Sequence, residues 1–184
     1  MTRPDIVPAL FQDAETDLPA IEQWCSTVLS GAPARLLLLG PHWSGKTHTA
    51  YAALRRLLAA GYSSQEITVH SASELKRTYD PRVIADTTAV TVVDDVTVSV
   101  DLVREAKGPL APDSVDVQAM TALEAGALAE AIASLVVLPN RSWILIASTP
   151  EILAEAVGEQ TAARILAVAD TVELAQRPLP KLSW

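Results

Sequence analysis

The stretch GPHWSGKT at residues 40–47 constrains this chain more than any other part of its sequence. It has the form G-x-x-x-x-G-K-[ST], in which backbone N–H groups cradle phosphates, the lysine reaches the β- and γ-phosphates and the hydroxyl binds Mg²⁺. A run of four leucines precedes it, and the apolar spacing of residues 46–60 predicts the helix that such a loop requires. We therefore predict a site for ATP or ADP with Mg²⁺, rather than a chance loop. The residues predicted to bind are Gly40, Pro41, His42, Trp43, Ser44, Gly45, Lys46, Thr47 and His48, with Thr47 also on the metal.

A second motif carries two adjacent acids. Residues 88–96, TAVTVVDDV, form a β-branched run that predicts a buried strand ending at this pair. In a nucleotide site of this kind Asp94 would hold Mg²⁺ through water, and Asp95 would polarise the attacking water. The alternative is a strand that runs into an Asp-rich turn. The phosphate loop upstream favours the catalytic interpretation.

Charge and cysteine content narrow the class of protein. The chain has 22 acidic and 14 basic side chains, a net charge of −8, so its overall field repels nucleic acid. Cys25 is the only cysteine, which excludes an intrachain disulfide and is typical of a reducing compartment. The N-terminus lacks the apolar core of a signal peptide, and no run reaches the ~18 apolar residues of a membrane span. We expect a cytoplasmic protein with no membrane contact.

One basic cluster stands out against this acidity. The cluster can hold the backbone of single-stranded DNA and stack one base, as single-strand binding proteins do. The alternative is an amphipathic helix with a solvated polar face. Its members are Lys76, Arg77, Tyr79 and Arg82.

Alternating strand and helix patterns predict one α/β domain over residues 17–175. Residues 1–16 read as an irregular arm and residues 176–184 as a tail, because prolines interrupt both. The first helix is expected to begin with Asp17 as its N-cap. Besides the strand at 36–39, strands are predicted at 66–70, 88–96, 143–147 and near 171–174, and helices at 17–30, 46–60, 116–135, 151–157 and 160–166.

Two hydroxyl side chains, Ser148 and Thr149, follow the strand at 143–147. Parallel α/β sheets bind ligands at this carboxyl edge, so the hydroxyls can orient a γ-phosphate or its attacking water. They can equally be turn formers.

The order of these pieces resembles the AAA+ ATPases of the initiator group, which includes helicase loaders and transposition helpers of the DnaC/IstB kind, with DnaA and Hda as cousins. The resemblance covers about residues 20–175 and is carried by GKTH with AALRRLLAAGY, by VVDD, by ILIASTP, and by AARIL shortly before VEL. It implies a five-stranded parallel P-loop sheet sandwiched by helices, without a C-terminal lid domain. It also implies that the strand at 143–147 lies between the strands at 36–39 and 88–96.

The resemblance assigns roles to two further residues. Thr149, or Ser148 beside it, matches the sensor 1 position, where the loaders usually have Asn. Arg164 matches the arginine finger, which acts on the site of a neighbouring subunit, although the box here reads AARIL in place of S-R-L. His42 and Trp43 replace the small residues common in the loop, and Trp43 either stacks on a base or a neighbouring subunit or packs internally.

The function implied by the resemblance is ATP binding and hydrolysis, weak or partner-stimulated, in DNA replication or recombination. The expected partners are a head-to-tail neighbour of the same chain and a replication or recombination protein such as a helicase. Two alternatives are a nucleotide-gated adaptor with little hydrolysis and a clamp-loader-like subunit.

Overall fold

The computed structural model describes residues 6–78, 89–97 and 115–176, with side chains described for all of these except residue 78 and residues 115–124. Each predicted strand and helix is present within a few residues of its expected bounds. Short 3₁₀ turns lie at Ala9–Phe11 and Ser64–Glu66. In chain order the elements are α1 (Pro19–Leu29), β1 (Arg35–Leu39), α2 (Lys46–Ala59), β2 (Ile67–Ser71), α3 (Ala72–Thr78), β3 (Val90–Val96), α4 (Val115–Val137), β4 (Ser142–Ala147), α5 (Pro150–Val157), α6 (Glu159–Val168) and β5 (Asp170–Glu173).

The five strands form one parallel sheet in the order β2-β3-β4-β1-β5. The position of β4 between β1 and β3 confirms the order that the resemblance implies. All carboxyl ends of the strands therefore lie at one edge, where β1 continues into the phosphate loop and β3 ends at the two acids. Within the described residues no helical domain follows β5, and no helix is both long and apolar enough to span a membrane.

The leucines of β1 explain why the sheet is covered on both faces. Successive strand side chains point to opposite faces, so Leu36 and Leu38 join the core under α1 and α2, whereas Leu37 and Leu39 join the core under α4, α5 and α6. All four are buried. Full burial of one such side chain contributes about 1.5–3 kcal/mol to folding stability. Burial of the four leucines therefore fixes β1, and with it the start of the phosphate loop, in the core.

The N-termini of α1 and α3 are fixed in two different ways. Asp17 was expected to cap α1, but the N-cap is Leu18 and no side chain caps this end. The reason is Pro19, whose fixed φ suits the first helical position and places the cap one residue before it. At α3, by contrast, Glu74 N–H donates to Ser71 Oγ over 3.1 Å and Ser71 N–H donates to Glu74 Oε2 over 3.0 Å. This reciprocal capping box turns the chain from β2 directly into α3.

The N-terminal arm, residues 6–16, packs along α2 although it has little regular structure. Phe11 stacks on Tyr51 with ring centroids 4.5 Å apart and an interplanar angle of 14°. Arg55 donates a hydrogen bond to the Ala14 carbonyl, and the His48 ring Nε2 lies 3.2 Å from the Glu15 carbonyl oxygen. The arm is thus held against the helix that begins at the phosphate loop.

Candidate nucleotide-binding site

The phosphate loop begins with a glycine that no other residue can replace without a clash. Gly40 has φ +148°, and a Cβ built on it would lie 2.4 Å from the Leu174 carbonyl oxygen and 2.8 Å from Ser44 Oγ. Its N–H donates to the Ser148 carbonyl over 3.0 Å, which ties the loop to the end of β4. The close approach of backbone to backbone explains the glycine at this position.

Helix α2 begins where the loop ends. Gly45, with φ +91°, is its N-cap, and the Gly45 carbonyl accepts the first helical hydrogen bond from Thr49 N–H at 2.9 Å. The N–H groups of the first turn, at Lys46, Thr47 and His48, therefore have no acceptor within the helix. Together with the helix dipole they form a site of positive potential suited to phosphate.

The Lys46 ammonium lies inside the curve of the loop. Its Nζ donates to the carbonyl oxygens of Gly40 and Pro41, at 2.7 Å each, and more weakly to Ser44 Oγ at 3.4 Å. Burial lowers the pKa of Lys46, and the negative charges of Asp94 and Asp95 oppose that effect. The loop thus holds a cation where the terminal phosphates of a nucleotide would bind.

Thr47, in the first turn of α2, contacts Asp94, near the end of β3. Thr47 Oγ1 donates to Asp94 Oδ1 over 3.2 Å. Burial raises the pKa of Asp94, and the nearby charge of Asp95 adds to this; the hydrogen bonds from Thr47 and from the Asp95 backbone, with the charge of Lys46, act the other way. A divalent cation would stabilise the charge of this buried carboxylate, and the carboxylate and the hydroxyl both supply oxygen ligands for it.

A β-bulge places both acids at the same site. Straight strand geometry would point Asp94 and Asp95 to opposite faces of the sheet. Here β3 pairs Val93 with Leu145 but Val96 with Ala147, so one extra residue lies between them, and Asp95 has φ +58°. Asp94 and Asp95 consequently line one cavity, with Asp94 half-buried and Asp95 exposed.

That cavity has a volume of about 570 Å³ and combines the end of β3, the end of β4 and the start of α2. Leu10 and Phe11 of the N-terminal arm also line it. Sequence reasoning did not find these two residues, because the arm has no helical or strand periodicity. The available signal was the short apolar run IVPALF at residues 6–11, which ends at this pair.

Thr149 is not part of the cavity lining. Its Oγ1 accepts a hydrogen bond from Ile152 N–H at 3.3 Å, so it is the N-cap of α5 and fits the turn-forming interpretation. The same hydroxyl lowers the pKa of Glu151 by hydrogen bonding to that carboxylate. Ser148, one residue earlier, lines the cavity instead. Of the two hydroxyls expected near the γ-phosphate, the structure therefore brings only Ser148 to the site.

Arg164 lies away from this cavity. It is exposed on α6 and is not among the cavity-lining residues of its own chain. The expected action of Arg164 at the site of a neighbouring subunit therefore stays a prediction.

One residue of the basic cluster, Lys76, is not placed to bind single-stranded DNA as predicted. Lys76 is 5% exposed, and its Nζ donates to the Thr97 carbonyl over 2.6 Å, so it is held inside the domain. Arg77 is exposed, whereas Tyr79 and Arg82 lie outside the described residues. A buried lysine of this kind binds backbone rather than a phosphodiester.

Trp43 does not pack internally. Its side chain is 77% exposed, its backbone has φ +63°, and it lines the same cavity as Lys46. A positive φ at a bulky residue costs on the order of 1–3 kcal/mol. Because the side chain is exposed, internal packing is excluded, and stacking on a base or on a neighbouring subunit remains.

The side chains of this site fit a nucleotide with Mg²⁺. The first-turn N–H groups and Lys46 supply donors for phosphate, and Thr47 and Asp94 supply the oxygen ligands that Mg²⁺ prefers. Among the described residues no group of three or more His, Cys, Asp or Glu side chains is arranged for a metal. Mg²⁺ commonly completes its coordination with substrate phosphates and water, so a small protein ligand set suits it.

In architecture, the chain is a five-stranded parallel α/β domain in which β1 leads through the phosphate loop into α2. No family model matches the sequence, and no curated protein matches it either. The structure superposes on that of the DnaC helicase loader with a TM-score of 0.59 at 13% identity, over 91% of this chain and 99% of that one. For DnaI the TM-score is 0.54 at 15% identity, over 94% and 91% of the two chains.

A third solved structure is AMPPCP-bound DnaA from Aquifex aeolicus, with a TM-score of 0.49 and 14% identity. The match covers 85% of this chain but 44% of the DnaA chain, so this chain spans less than half of that protein. In fold, the chain resembles the DnaC helicase loader and DnaI, as its motifs predict.

Proposed function

We propose that this protein binds and hydrolyses ATP as an AAA+ ATPase of the helicase-loader or transposition-helper type, acting in DNA replication or recombination. One observation carries the proposal: Lys46, Thr47, Asp94 and Asp95 line a single cavity at the carboxyl edge of a parallel sheet. A phosphate-binding cation, a hydroxyl and two acids are the parts that phosphoryl transfer to water requires.

Each side chain has a distinct task in this proposal. The first-turn N–H groups of α2 and the Lys46 ammonium bind the phosphates and orient the terminal one. Thr47 and Asp94 hold Mg²⁺, which, when bound, neutralises charge on the phosphate oxygens. Asp95, exposed at the cavity and turned toward it by the bulge, accepts a hydrogen bond from the attacking water and polarises it.

Assembly completes the site in this proposal. Arg164 is exposed on α6 and lies outside its own cavity, which suits a residue that acts on the next subunit of a head-to-tail oligomer. The likeness in fold to DnaC, which is a helicase loader, supports a replication or recombination protein such as a helicase as the partner.

A nucleotide-gated adaptor with little hydrolysis is the second candidate. The specific observation that favours it is the capping role of Thr149, which removes one of the two hydroxyls expected at the γ-phosphate. In that case ATP binding alters partner binding, and turnover is slow.

ATP binding by calorimetry tests the site shared by both candidates. Lys46→Ala should weaken ATP affinity at least tenfold, because a charge-assisted contact contributes about 1.5–3 kcal/mol. Arg56→Ala is the matched control, since it removes a cation from the exposed last turn of the same helix. Equal ATP affinity in Lys46→Ala and wild type would rule out the site.

Phosphate release then separates the two candidates. The ATPase predicts turnover that rises with protein concentration or with single-stranded DNA and that is lost in Asp95→Asn while ATP binding is retained. Tight ATP binding with no phosphate release under any of these conditions would identify the adaptor.

A further inference from the structure

The phosphate loop contains a tryptophan in a backbone conformation that favours glycine. Among the described residues, Trp43 and Asp95 are the two non-glycine residues with positive φ, at +63° and +58°. Both line the nucleotide cavity. Such conformations are unfavourable for a bulky side chain and persist at functional sites where the surroundings impose them.

The Trp43 indole is available to a ligand. It is 77% exposed, so little of its surface contacts the rest of the domain, yet it lies on the wall of the cavity that contains Lys46 and Thr47. Leu10 of the N-terminal arm, 84% exposed, lines the same cavity. Large apolar side chains thus remain open to solvent beside a polar phosphate site.

This combination matches the two chemical halves of a nucleotide. The polar half of the cavity, with Lys46, Thr47 and Asp94, suits phosphates and a cation. A nucleobase is flat and aromatic, and it requires an apolar surface on which to stack. Phe11 already has Tyr51 stacked on it at 4.5 Å, whereas the indole of Trp43 makes no ring contact of this kind among the described residues.

We propose that the Trp43 indole stacks on the base of the bound nucleotide and so determines the affinity for a base-carrying ligand over bare phosphates. The inference rests on the proposed nucleotide site and names a residue that contributes base affinity to it. The other exposed use of the ring, contact with a neighbouring protein, is an outcome of the test.

The experiment compares two ligands and three variants by calorimetry. ATP carries the base, and inorganic tripolyphosphate carries the phosphates alone. Trp43→Phe keeps an aromatic face, Trp43→Ala removes the face and keeps the unfavourable backbone, and Trp43→Gly removes both. Trp43→Ala should lower ATP affinity about tenfold, because stacking of one base contributes roughly 1–3 kcal/mol, and should leave tripolyphosphate affinity unchanged. Trp43→Phe should retain most ATP affinity.

Fluorescence provides an independent readout. Of the four tryptophans, Trp24 and Trp143 are buried, at 2% and 0% exposure, and Trp184 lies outside the described residues. The emission of Trp43 is therefore obtained as the difference between wild type and Trp43→Phe. ATP should change the emission of wild type far more than that of Trp43→Phe. Tripolyphosphate should have a smaller effect in both proteins.

The outcomes are distinguishable. If wild type binds neither ATP nor tripolyphosphate, the proposed site itself is wrong. If Trp43→Ala binds ATP as tightly as wild type, the stacking inference is wrong and the site stands. If Trp43→Ala loses the same affinity for ATP as for tripolyphosphate, and Trp43→Gly regains that affinity, Trp43 acts through the conformation of the loop backbone. Loss of self-association with unchanged ATP affinity would assign the ring to a neighbouring subunit. Either of these last two results overturns the inference.

Discussion

Replacement of Thr149 by alanine separates a structural role from a catalytic one. The Thr149 hydroxyl accepts from Ile152 N–H at the start of α5. Loss of a threonine N-cap costs about 0.5–2 kcal/mol. The hydrogen bond is 3.3 Å long and Thr149 is exposed, so water can partly replace the hydroxyl, and we expect about 1 kcal/mol. In a chain of 184 residues this corresponds to a decrease in Tm of roughly 2–4 °C.

The pH dependence of this loss follows from Glu151. The hydrogen bond from Thr149 is the main cause that lowers the pKa of Glu151 below its ordinary 4.5, and the backbone N–H of Glu151 contributes as well. A lowered folded-state pKa stabilises the fold above pH 4.5, and the stabilisation is lost as the pH falls through the folded-state value. The difference in stability between wild type and Thr149→Ala should therefore shrink in acid.

The assay is thermal melting at pH 7 and pH 3, with ATP turnover measured on the same samples. Thr149→Ser retains a capping hydroxyl and should melt like wild type. Thr149→Ala should keep most of its turnover once folded, because its side chain is not in the cavity. Ser148→Ala, which removes the cavity-lining hydroxyl, should lower turnover with a smaller change in Tm. An unchanged Tm with abolished turnover in Thr149→Ala would refute the capping argument and restore the sensor role.

Three further predictions concern the cavity and its neighbours. Because burial raises the pKa of Asp94, Asp94→Asn without nucleotide should raise Tm increasingly as pH rises above 3.8, yet remove Mg²⁺-dependent stabilisation by ATP; a lower Tm at pH 7 would contradict this. Arg164→Ala and Lys46→Ala, each inactive alone, should partly restore phosphate release when mixed; a co-assembled but inactive mixture excludes a finger acting between subunits. Phe11→Ala should lose about 3 kcal/mol or less, since Phe11 is only half-buried, and should weaken ATP binding; calorimetry showing unchanged ATP affinity would separate the arm from the site.

The local parts of the fold were predictable because each depends on neighbours in sequence. The leucine run of β1 and the apolar spacing of α2 match the observed elements closely, since a strand buried on both faces and an amphipathic helix have distinct periods. The glycines at the two ends of the loop were predictable from the motif. The proximity of Thr47 and Asp94 followed from the strand order, which the resemblance implies rather than any spacing.

The parts that were missed depend on tertiary contacts. A lysine such as Lys76 is normally solvated, and only the position of the Thr97 carbonyl explains its burial. The packing of Phe11 on Tyr51 brings an irregular arm to the site without any periodic signal. The turn at Asp95 arises from an extra residue in the pairing of β3 with β4, and a β-branched run does not reveal such a bulge.

The position of β4 between β1 and β3 also bears on when the site can form. The phosphate loop follows β1 and the acids end β3, but these strands are not neighbours; β4, at Ser142–Ala147, fills the gap between them. During synthesis the chain emerges from its N-terminus, so the loop and both acids exist before the strand that holds them at the correct separation. Thr47 can reach Asp94 only after β4 has inserted between β1 and β3. This insertion requires contacts between residues far apart in sequence, which form slowly relative to a local helix. The proposed nucleotide site therefore forms late in folding, and a fragment that ends before β4 would carry both motifs without the site.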